Sequence, residues 1–303
     1  MKIKDIGEIG LIERISRGIK LDKSVIKGIG DDTAVIAWTP GKYLLYTCDM
    51  LVEDVHFRAG PAVPFQIGWK AMARNLSDIA AMGGIGRYAV VSIALDPEKS
   101  ISFIDEIYRG LRAACKQFKV NLVGGDISKS KKTVIDVSLI GEVEKRNLVT
   151  RAGAKTGDVV LTTGSFGGSI KKKHLNFTPR VNEARFLVNG YKINSMIDVT
   201  DGLIIDLNRI LKSSNVGARI YKGSIPVSAD AVSFKRAVTD GEDFELLFTM
   251  SPDEARRLMN SRSTKMKVPI SVIGEIADRR EGFKLITNKL EHRILNPKGY
   301  LHF

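Results

Sequence analysis

One predicted helix, followed directly by glycine, most constrains what this chain can fold into. Residues 64–82 carry apolar side chains at spacings of three and four, so that Met72, Leu76 and Ile79 form one apolar stripe. Gly83 comes next, and glycine is the residue that most often ends a helix. The pattern therefore predicts a buried helix over this range that packs through its apolar stripe.

The same helix carries a carboxylate that water alone would not solvate. Asp78 stands among small and apolar residues, and Asn75, three positions earlier, lies on a neighbouring face. A carboxylate in such surroundings needs a cation, a backbone cap or a ligand, because burial of an uncompensated charge is costly. Taken alone, Asp78 is equally consistent with an ordinary capping or turn residue.

Length and composition limit the class of protein. A chain of 303 residues exceeds the usual size of one hydrophobic core, which predicts two domains. Hydrophobic residues make up 44% and charged residues 27%, as in soluble globular proteins, and no apolar run is long enough to span a bilayer. The first residues show no signal-peptide pattern, so a cytoplasmic location is expected. Cys48 and Cys115 stand far apart outside any CxxC or His/Cys cluster, which favours two reduced thiols.

A net charge of +13 raises the question of nucleic-acid binding. The basic runs at 129–132 and 171–174 are not interleaved with aromatic residues, and no zinc-finger or RNP-like motif is present. We therefore interpret these lysines mainly as solvated surface charge, which would also attract polyanionic small molecules such as nucleotides.

Apolar patterns in the first half predict strands and helices in alternation. A short amphipathic helix is expected at residues 5–17 and a core-facing helix at 100–118. The buried strand YLLYT is expected to end at Asp49, and ligand sites in open α/β sheets gather at strand ends. Further strands are predicted at 88–95 and 134–140. Helices between antiparallel strands favour an α+β first domain.

A composition shift divides the chain in two. The segment GEVEKRNLVTRAGAKTGD is charged and contains glycines, so we place the domain boundary at Asn147. This predicts an N-terminal domain of residues 1–147 and a C-terminal domain of residues 148–303. The second domain begins with the strand DVVLTT and includes a helix from Val181 to Asn189.

Acidic residues recur where predicted strands end and helices begin. Each one alone is ordinary turn or N-cap chemistry, and the chain has no GxxxxGK[ST], GxGxxG, HRD or DFG motif. If these carboxylates converge, they repel one another unless cations lie between them, and hard oxygen ligands suit Mg²⁺. Several Mg²⁺ ions in one site would suit polyphosphate chemistry. The residues concerned are Asp31, Asp32, Asp49, Asp78, Asp126, Asp198 and Asp201.

A series of motifs resembles a known family. GIGDD, DMLVEDVHF, KAMARNLSDIAAMGG, NLVGGDIS, TRAGAKTGD, IDVTDGL and GEDFELLFT occur in this order. Together they resemble the thiamine-monophosphate kinase family of the aminoimidazole ribonucleotide synthetase-like superfamily, across nearly the whole chain. The resemblance implies a homodimer whose N-terminal strands form a shared barrel, and a C-terminal α/β domain. It also implies Mg²⁺-assisted transfer of the γ-phosphoryl group of ATP to thiamine monophosphate, which gives thiamine diphosphate.

The resemblance also implies roles for the matching residues. Asp49, Asp78 and Asp126 would carry catalysis. The Mg²⁺ ligands would be Asp32, Thr47, Asp49, Asp78, Asp126, Asp198 and Asp201. ATP would contact Tyr108, Gly125, Asp126, Arg151 and Thr200, and the thiamine phosphate would contact His56, Glu242 and Tyr300. Because a phosphate acceptor has a second pKa of about 6 and is mostly ionised at neutral pH, no general base is needed.

The chain departs from the family pattern at four places. Cys48 stands where a hydroxyl residue is usual, and Asp54 and Asp240 each replace a glycine. The stretch from Gly168 to Lys173 is also much shorter, which bears on the local fold of the second domain and on the substrate pocket. Two alternatives therefore stay open: another ATP-dependent enzyme of the superfamily with a different small-molecule substrate, and a basic RNA-binding protein that kept the fold without the activity.

Overall fold

Two β-sheets, one from each half of the chain, form the frame of the molecule. The computed structural model describes residues 2–58, 60, 62–171, 173–261, 266–287, 291–295, 297 and 299–300. Helices pack on both sheets, as the α+β prediction requires. The boundary at Asn147 stays a prediction, because residues of both halves meet in one core, where Leu161 and Phe248 cluster with Met72 and Leu76.

The first sheet has six strands in the order β1-β2-β3-β6-β4-β5. Neighbouring strands are antiparallel except for the parallel pair of β4 and β5. Its elements are α1 (Ile3–Ser16), β1 (Val25–Lys27), β2 (Ala34–Ala37), β3 (Lys42–Val52), α2 (Pro64–Ala81), β4 (Ile85–Leu95), α3 (Ile101–Phe118), β5 (Asn121–Lys129) and β6 (Val134–Glu144).

The second sheet has seven strands in the order β13-β12-β9-β11-β7-β10-β8. Two short 3-10 helices, Ser169–Lys171 and Lys173–Leu175, occupy the stretch after Gly168. The other elements are β7 (Val159–Thr163), α4 (Val181–Gly190), β8 (Ser195–Asp198), α5 (Leu203–Ser214), β9 (Gly217–Tyr221), α6 (Phe234–Thr239), β10 (Leu246–Met250), α7 (Pro252–Met259), β11 (Ile270–Ala277), β12 (Phe283–Ile286) and β13 (His292–Ile294).

Strand β3 corrects one prediction from the sequence. The strand does not end at Asp49 but continues to Val52, and it pairs with β6 along its whole length. Alternation along β3 turns Leu45 and Leu51 into the core and leaves Met50 exposed. Because side chains alternate, Asp49 lies on the covered face in the middle of the strand.

Helix α2 is the central element of the fold. The predicted helix is confirmed, and its apolar stripe of Met72, Leu76 and Ile79 is fully buried. Helix α3 crosses it closely, because a Cβ on Gly110 would lie only 1.9 Å from the carbonyl oxygen of Phe65. Glycine is required at this crossing because the two backbones touch.

The same helix reaches the second half of the chain. Trp69 Nε1 donates a hydrogen bond to the carbonyl oxygen of Phe177 at 2.7 Å. Phe177 stacks on Phe244 with ring centroids 3.7 Å apart, and both rings pack against Ala73 of α2. Helix α2 therefore places its polar side chains between the two halves.

Two further sequence predictions concern the state of the cysteines and whether any helix could cross a membrane. Both cysteines are free thiols, Cys48 exposed and Cys115 buried. None of the helices formed by the described residues has the length and apolarity that a bilayer crossing requires.

Candidate active site

A stripe of polar residues on α2 organises the candidate site. Lys70, Arg74 and Asp78 follow one another at four-residue spacing and therefore share a helix face. Asp78 Oδ2 accepts a hydrogen bond from Thr47 Oγ1 at 2.8 Å, and Arg74 Nη2 donates to Asp49 Oδ1 at 3.2 Å. The inner face of β3 thus meets this stripe of α2.

A cavity of about 690 Å³ lies over this stripe, between the two halves of the chain. Its wall brings together nine of the residues that the sequence selected. They are Asp31, Asp49, His56, Asp78, Arg151, Thr200, Asp201, Glu242 and Tyr300.

Three further predicted residues lie directly behind this wall. Thr47 holds Asp78, as described above. Asp198, at the end of β8, accepts a hydrogen bond from Ser77 Oγ at 2.5 Å, and its side chain is buried. Asp32 Oδ1 accepts from Arg151 Nη2 at 2.6 Å. The contacts of Asp198 and Asp32 join the two halves of the chain at the cavity.

Asp32 carries an uncompensated oxygen. Its side chain is only 2% exposed, and its Oδ2 atom has no hydrogen-bond partner among the described residues. Burial raises the pKa of this carboxyl, while the charge of Arg151 opposes the rise. A buried carboxylate oxygen without a donor is a position that a cation would stabilise.

Burial and neighbouring negative charges also disfavour the ionised form of the other carboxylates. Burial raises the pKa of Asp78 well above its usual range, and the charges of Asp49, Asp198 and Asp32 raise it further. Burial also raises the pKa values of Asp49 and Asp198. Like charges close together in a buried site disfavour ionisation of each one, and a cation between them reverses this effect.

The donor set fits Mg²⁺ that is completed by other ligands. Carboxylate and hydroxyl oxygens are the hard ligands that Mg²⁺ prefers. Among the described residues, no three His, Cys, Asp or Glu side chains are grouped tightly enough to hold an ion by themselves. Mg²⁺ usually keeps several waters and binds one or two carboxylates together with substrate phosphates, so this arrangement suits a metal that arrives with a nucleotide.

The loop between β8 and α5 is held by a residue that the sequence analysis missed. Asp206 Oδ2 accepts hydrogen bonds from the backbone N–H groups of Thr200, Asp201 and Gly202 at 3.0 to 3.1 Å. Burial raises the pKa of Asp206 to about 7, against the charge of Arg209, which also pairs with Asp201. Asp206 therefore fixes the positions of Thr200 and Asp201 at the cavity.

The far end of the cavity is formed by Glu242, His56 and His174. Glu242 has a backbone φ of +57°, a left-handed conformation that non-glycine residues seldom adopt. Its burial would raise the pKa, but the contacts with His174 and Lys70 outweigh burial and lower it to about 2. Glu242 is therefore an ionised carboxylate at neutral pH.

Three predicted residues do not join this cavity. Tyr108, Gly125 and Asp126 are not among the described residues that line it. Asp126 is exposed on the edge strand β5 and pairs with Ser92, in a row that continues through Asp136 to Met50. Met50 is on the outer face of β3, so Asp126 and Asp49 lie on opposite faces of the sheet.

Sequence reasoning also overlooked Lys70, Arg74 and His174. The signal for the first two was present, because two cations at four-residue spacing precede Asp78 in a mainly apolar helix. The signal for His174 was absent, since a histidine in a lysine-rich run gives no indication of its contacts.

Comparisons with known proteins agree with this architecture. The family model for AIR synthase related protein, N-terminal domain, matches residues 30–143, and that for the C-terminal domain matches residues 155–286. The thiamine-monophosphate kinase of Rhodopirellula baltica is 35% identical over 92% of this chain and 92% of its own. That of Bacillus subtilis is 33% identical over 98% of this chain and 99% of its own.

Solved structures give the same result. The structure described as AaThiL complexed with AMPPCP and TMP has a TM-score of 0.85 at 31% identity, covering 100% of this chain and 99% of that chain. Hydrogenase maturation protein HypE in complex with ATP, at 17% identity and a TM-score of 0.71, shares the fold. The resemblance first seen in the sequence motifs is confirmed. The two family domains in order, the identity over nearly the full length of both chains and the common fold show that this chain belongs to the thiamine-monophosphate kinases of the AIR synthase related family.

Proposed function

We propose that this protein transfers the γ-phosphoryl group of ATP to thiamine monophosphate and so makes thiamine diphosphate. The observation that carries the proposal is the convergence of Asp49, Asp78 and Arg151 on one cavity between the two halves of the chain. The names of the relatives and the AaThiL complex with AMPPCP and TMP support this choice of substrates.

Charge neutralisation is the first task of the site. We propose that Asp32, Asp49, Asp78, Asp198 and Asp201, with Thr47, would hold Mg²⁺. When bound, Mg²⁺ supplies positive charge next to the transferring phosphoryl group, where negative charge is spread over three oxygens. The protein's own cation on this side is Arg151, which the contact with Asp32 holds at the cavity wall.

Positioning is the second task. Arg151 and Thr200 would contact ATP, and Asp206 holds Thr200 from behind. His56, Glu242 and Tyr300 would contact the acceptor at the other end of the cavity. The acceptor phosphate is already an anion, so direct in-line transfer needs aligned groups and shielding of charge rather than a base.

We propose that the missing residues come from a second protomer in a homodimer. The outer face of the first sheet carries exposed apolar side chains, with Tyr46, Met50, Tyr88 and Val90 between 40% and 52% exposed. Strand β5 is an unpaired edge among the described strands. A partner that covers this face would form the shared barrel and bring Gly125 and Asp126, with Tyr108, towards the other protomer's cavity.

Subunit mixing tests this arrangement. Asp49→Asn and Asp126→Asn variants are each expected to be inactive. If Asp126 acts across the interface, random mixing restores one intact site in each heterodimer, or about a quarter of all sites. Recovery of no activity after mixing under conditions that exchange subunits would refute the action of Asp126 across the interface.

The activity is tested by ADP release from Mg-ATP. A panel contains thiamine monophosphate, free thiamine, formylglycinamidine ribonucleotide and no acceptor. Release that depends on thiamine monophosphate and yields thiamine diphosphate supports the proposal, and free thiamine should not substitute because it lacks the acceptor phosphate. ADP release that is stimulated only by another compound of the panel would favour a different enzyme of the superfamily. No ADP release with any compound, together with salt-dependent RNA affinity, would favour the RNA-binding protein. The use of ATP agrees with the cytoplasmic location expected from the sequence.

A further inference from the structure

Lys70 is the one charged residue among the largest fully buried side chains of the described part of the chain. It projects from the middle of α2, and its exposed fraction is zero. A buried ammonium is expensive, and an apolar side chain of similar volume usually serves packing as well or better. The burial of this charge therefore points to a role beyond filling the core.

The Lys70 ammonium contacts three segments that are distant in sequence. Its Nζ atom lies 2.5 Å from Glu242 Oε2, 2.9 Å from His174 Nδ1 and 3.0 Å from the carbonyl oxygen of His56. Two of its three N–H donors meet oxygen acceptors, on Glu242 and on the His56 backbone, and the His174 ring nitrogen lies beside both Lys70 Nζ and Glu242 Oε2. Lys70 thus ties the loop after β3 to the 3-10 helix Lys173–Leu175 and to the loop before β10.

The residues that Lys70 holds form a wall between two cavities. Glu242, His56 and His174 line the candidate active site. His56 and His174 also line a second cavity of about 760 Å³, on the side of Arg58 and Lys171. Lys70 lines neither cavity and reaches this wall from behind.

The position of Lys70 separates its effect from that of its neighbour Arg74. Arg74, one helical turn later, contacts Asp49 at the proposed metal end of the cavity. The hydrogen bonds of Lys70 to the described residues lie at the end where His56 and Glu242 would meet the acceptor. The two cations of α2 thus serve opposite ends of one site.

We propose that Lys70 is a positioning residue for the phosphate acceptor: it fixes Glu242, His174 and the His56 backbone in the arrangement that admits thiamine monophosphate. This inference rests on the proposed function. Glu242 needs such support because its left-handed backbone conformation is unfavourable for a non-glycine residue.

Kinetics of Lys70→Met and Lys70→Arg test the inference. Methionine keeps most of the length and removes the charge, whereas arginine keeps the charge but cannot place a guanidinium where the ammonium lies. Both variants should raise the apparent KM for thiamine monophosphate about tenfold, as expected for a lost charge-assisted contact. The apparent KM for ATP should stay within about twofold, since Lys70 does not contact Arg151 or Thr200.

Arg185→Met is the matched control. Arg185 also links the two halves through a cation, with Nη1 donating to the carbonyl oxygen of Gly83 at 2.7 Å and a salt bridge to Glu144, but it lies outside the candidate site. It should lower the melting temperature and leave both KM values unchanged.

Each other outcome has a distinct meaning. Wild-type protein without thiamine monophosphate-dependent ADP release refutes the proposed function itself. Wild-type turnover combined with an unshifted acceptor KM in both Lys70 variants, or with parallel rises in both KM values, overturns only the role of Lys70. Failure of both variants to fold also overturns it, because the residue would then support the whole fold rather than one end of the site.

Discussion

Replacement of Arg151 by alanine should show how far this cation stabilises the buried Asp32 carboxylate at the cavity. Arg151 donates to Asp32 Oδ1 through Nη2 at 2.6 Å and through Nε at 3.2 Å, and its backbone N–H donates to Asp31 Oδ1 at 3.1 Å. The alanine variant keeps the backbone contact and loses both side-chain contacts. Asp32 would then be a buried carboxylate without its cation.

The size of the expected stability loss follows from the burial of the Arg151–Asp32 ion pair. Breaking a buried ion pair by removal of one partner costs about 3–5 kcal/mol. Asp32 is 2% exposed but Arg151 is 18% exposed, so water will screen part of the loss. We therefore expect a decrease of about 3 kcal/mol in the free energy of unfolding without Mg²⁺.

Urea unfolding followed by circular dichroism measures this loss. If the loss of stability arises from the unpaired Asp32 carboxylate, the double variant Arg151→Ala/Asp32→Asn should be about 1–3 kcal/mol more stable than Arg151→Ala alone. This is the usual range for coupled neighbours. Mg²⁺ should also stabilise Arg151→Ala more than the wild type, because a metal can replace the missing cation.

A surface arginine provides the control. Arg219 pairs with Glu275 and Glu281 on the exposed side of β9, and Arg219→Ala should have little effect because water screens such pairs. A double variant as unstable as Arg151→Ala would refute the reasoning, since the loss would then not come from the Asp32 charge.

Three further predictions concern the metal site, a buried carboxyl and the helix crossing. Asp78→Asn should lower the rate of ADP release about 100-fold or more while the circular dichroism spectrum stays unchanged, because a charged oxygen is lost at nearly constant volume; unchanged turnover at saturating Mg²⁺ would exclude its assigned role. Burial raises the pKa of Asp243 to about 6, so its protonated form suits the fold and its stabilising contribution is complete below pH 3.8 and lost as pH rises through 6. The melting temperature of Asp243→Asn relative to wild type should therefore be higher at pH 8 than at pH 4, and a pH-independent difference would contradict this. Gly110→Ala should lower the free energy of unfolding by about 3 kcal/mol in urea, because its Cβ would lie 1.9 Å from the carbonyl oxygen of Phe65; Gly190→Ala, with no atom within 4 Å of the added Cβ, is the control.

Local patterns in the sequence were sufficient to predict helices α1 to α4 and some of the strands. The apolar spacing in α2 and the strict alternation in β6 depend only on which face of an element is buried, and both were confirmed. The ordered motifs were sufficient for the family, because several weak signals in a fixed order are jointly specific.

The arrangement of the site required contacts between distant residues. Asp49 was predicted at a strand end, whereas pairing with β6 extends β3 to Val52, and no local pattern contains that pairing. The role of Lys70 depends on Glu242, which is 172 residues away in the sequence. The role of Asp206 depends on a loop that folds back onto the start of its own helix. A residue's periodicity tells which face it occupies, but the free energy of a buried charge depends on the groups that surround it in space. For this reason the sequence by itself determined helices α1 to α4, some of the strands and the family, while the tertiary structure alone determined which carboxylates share the cavity, which cations balance them and which face of the sheet carries Asp126.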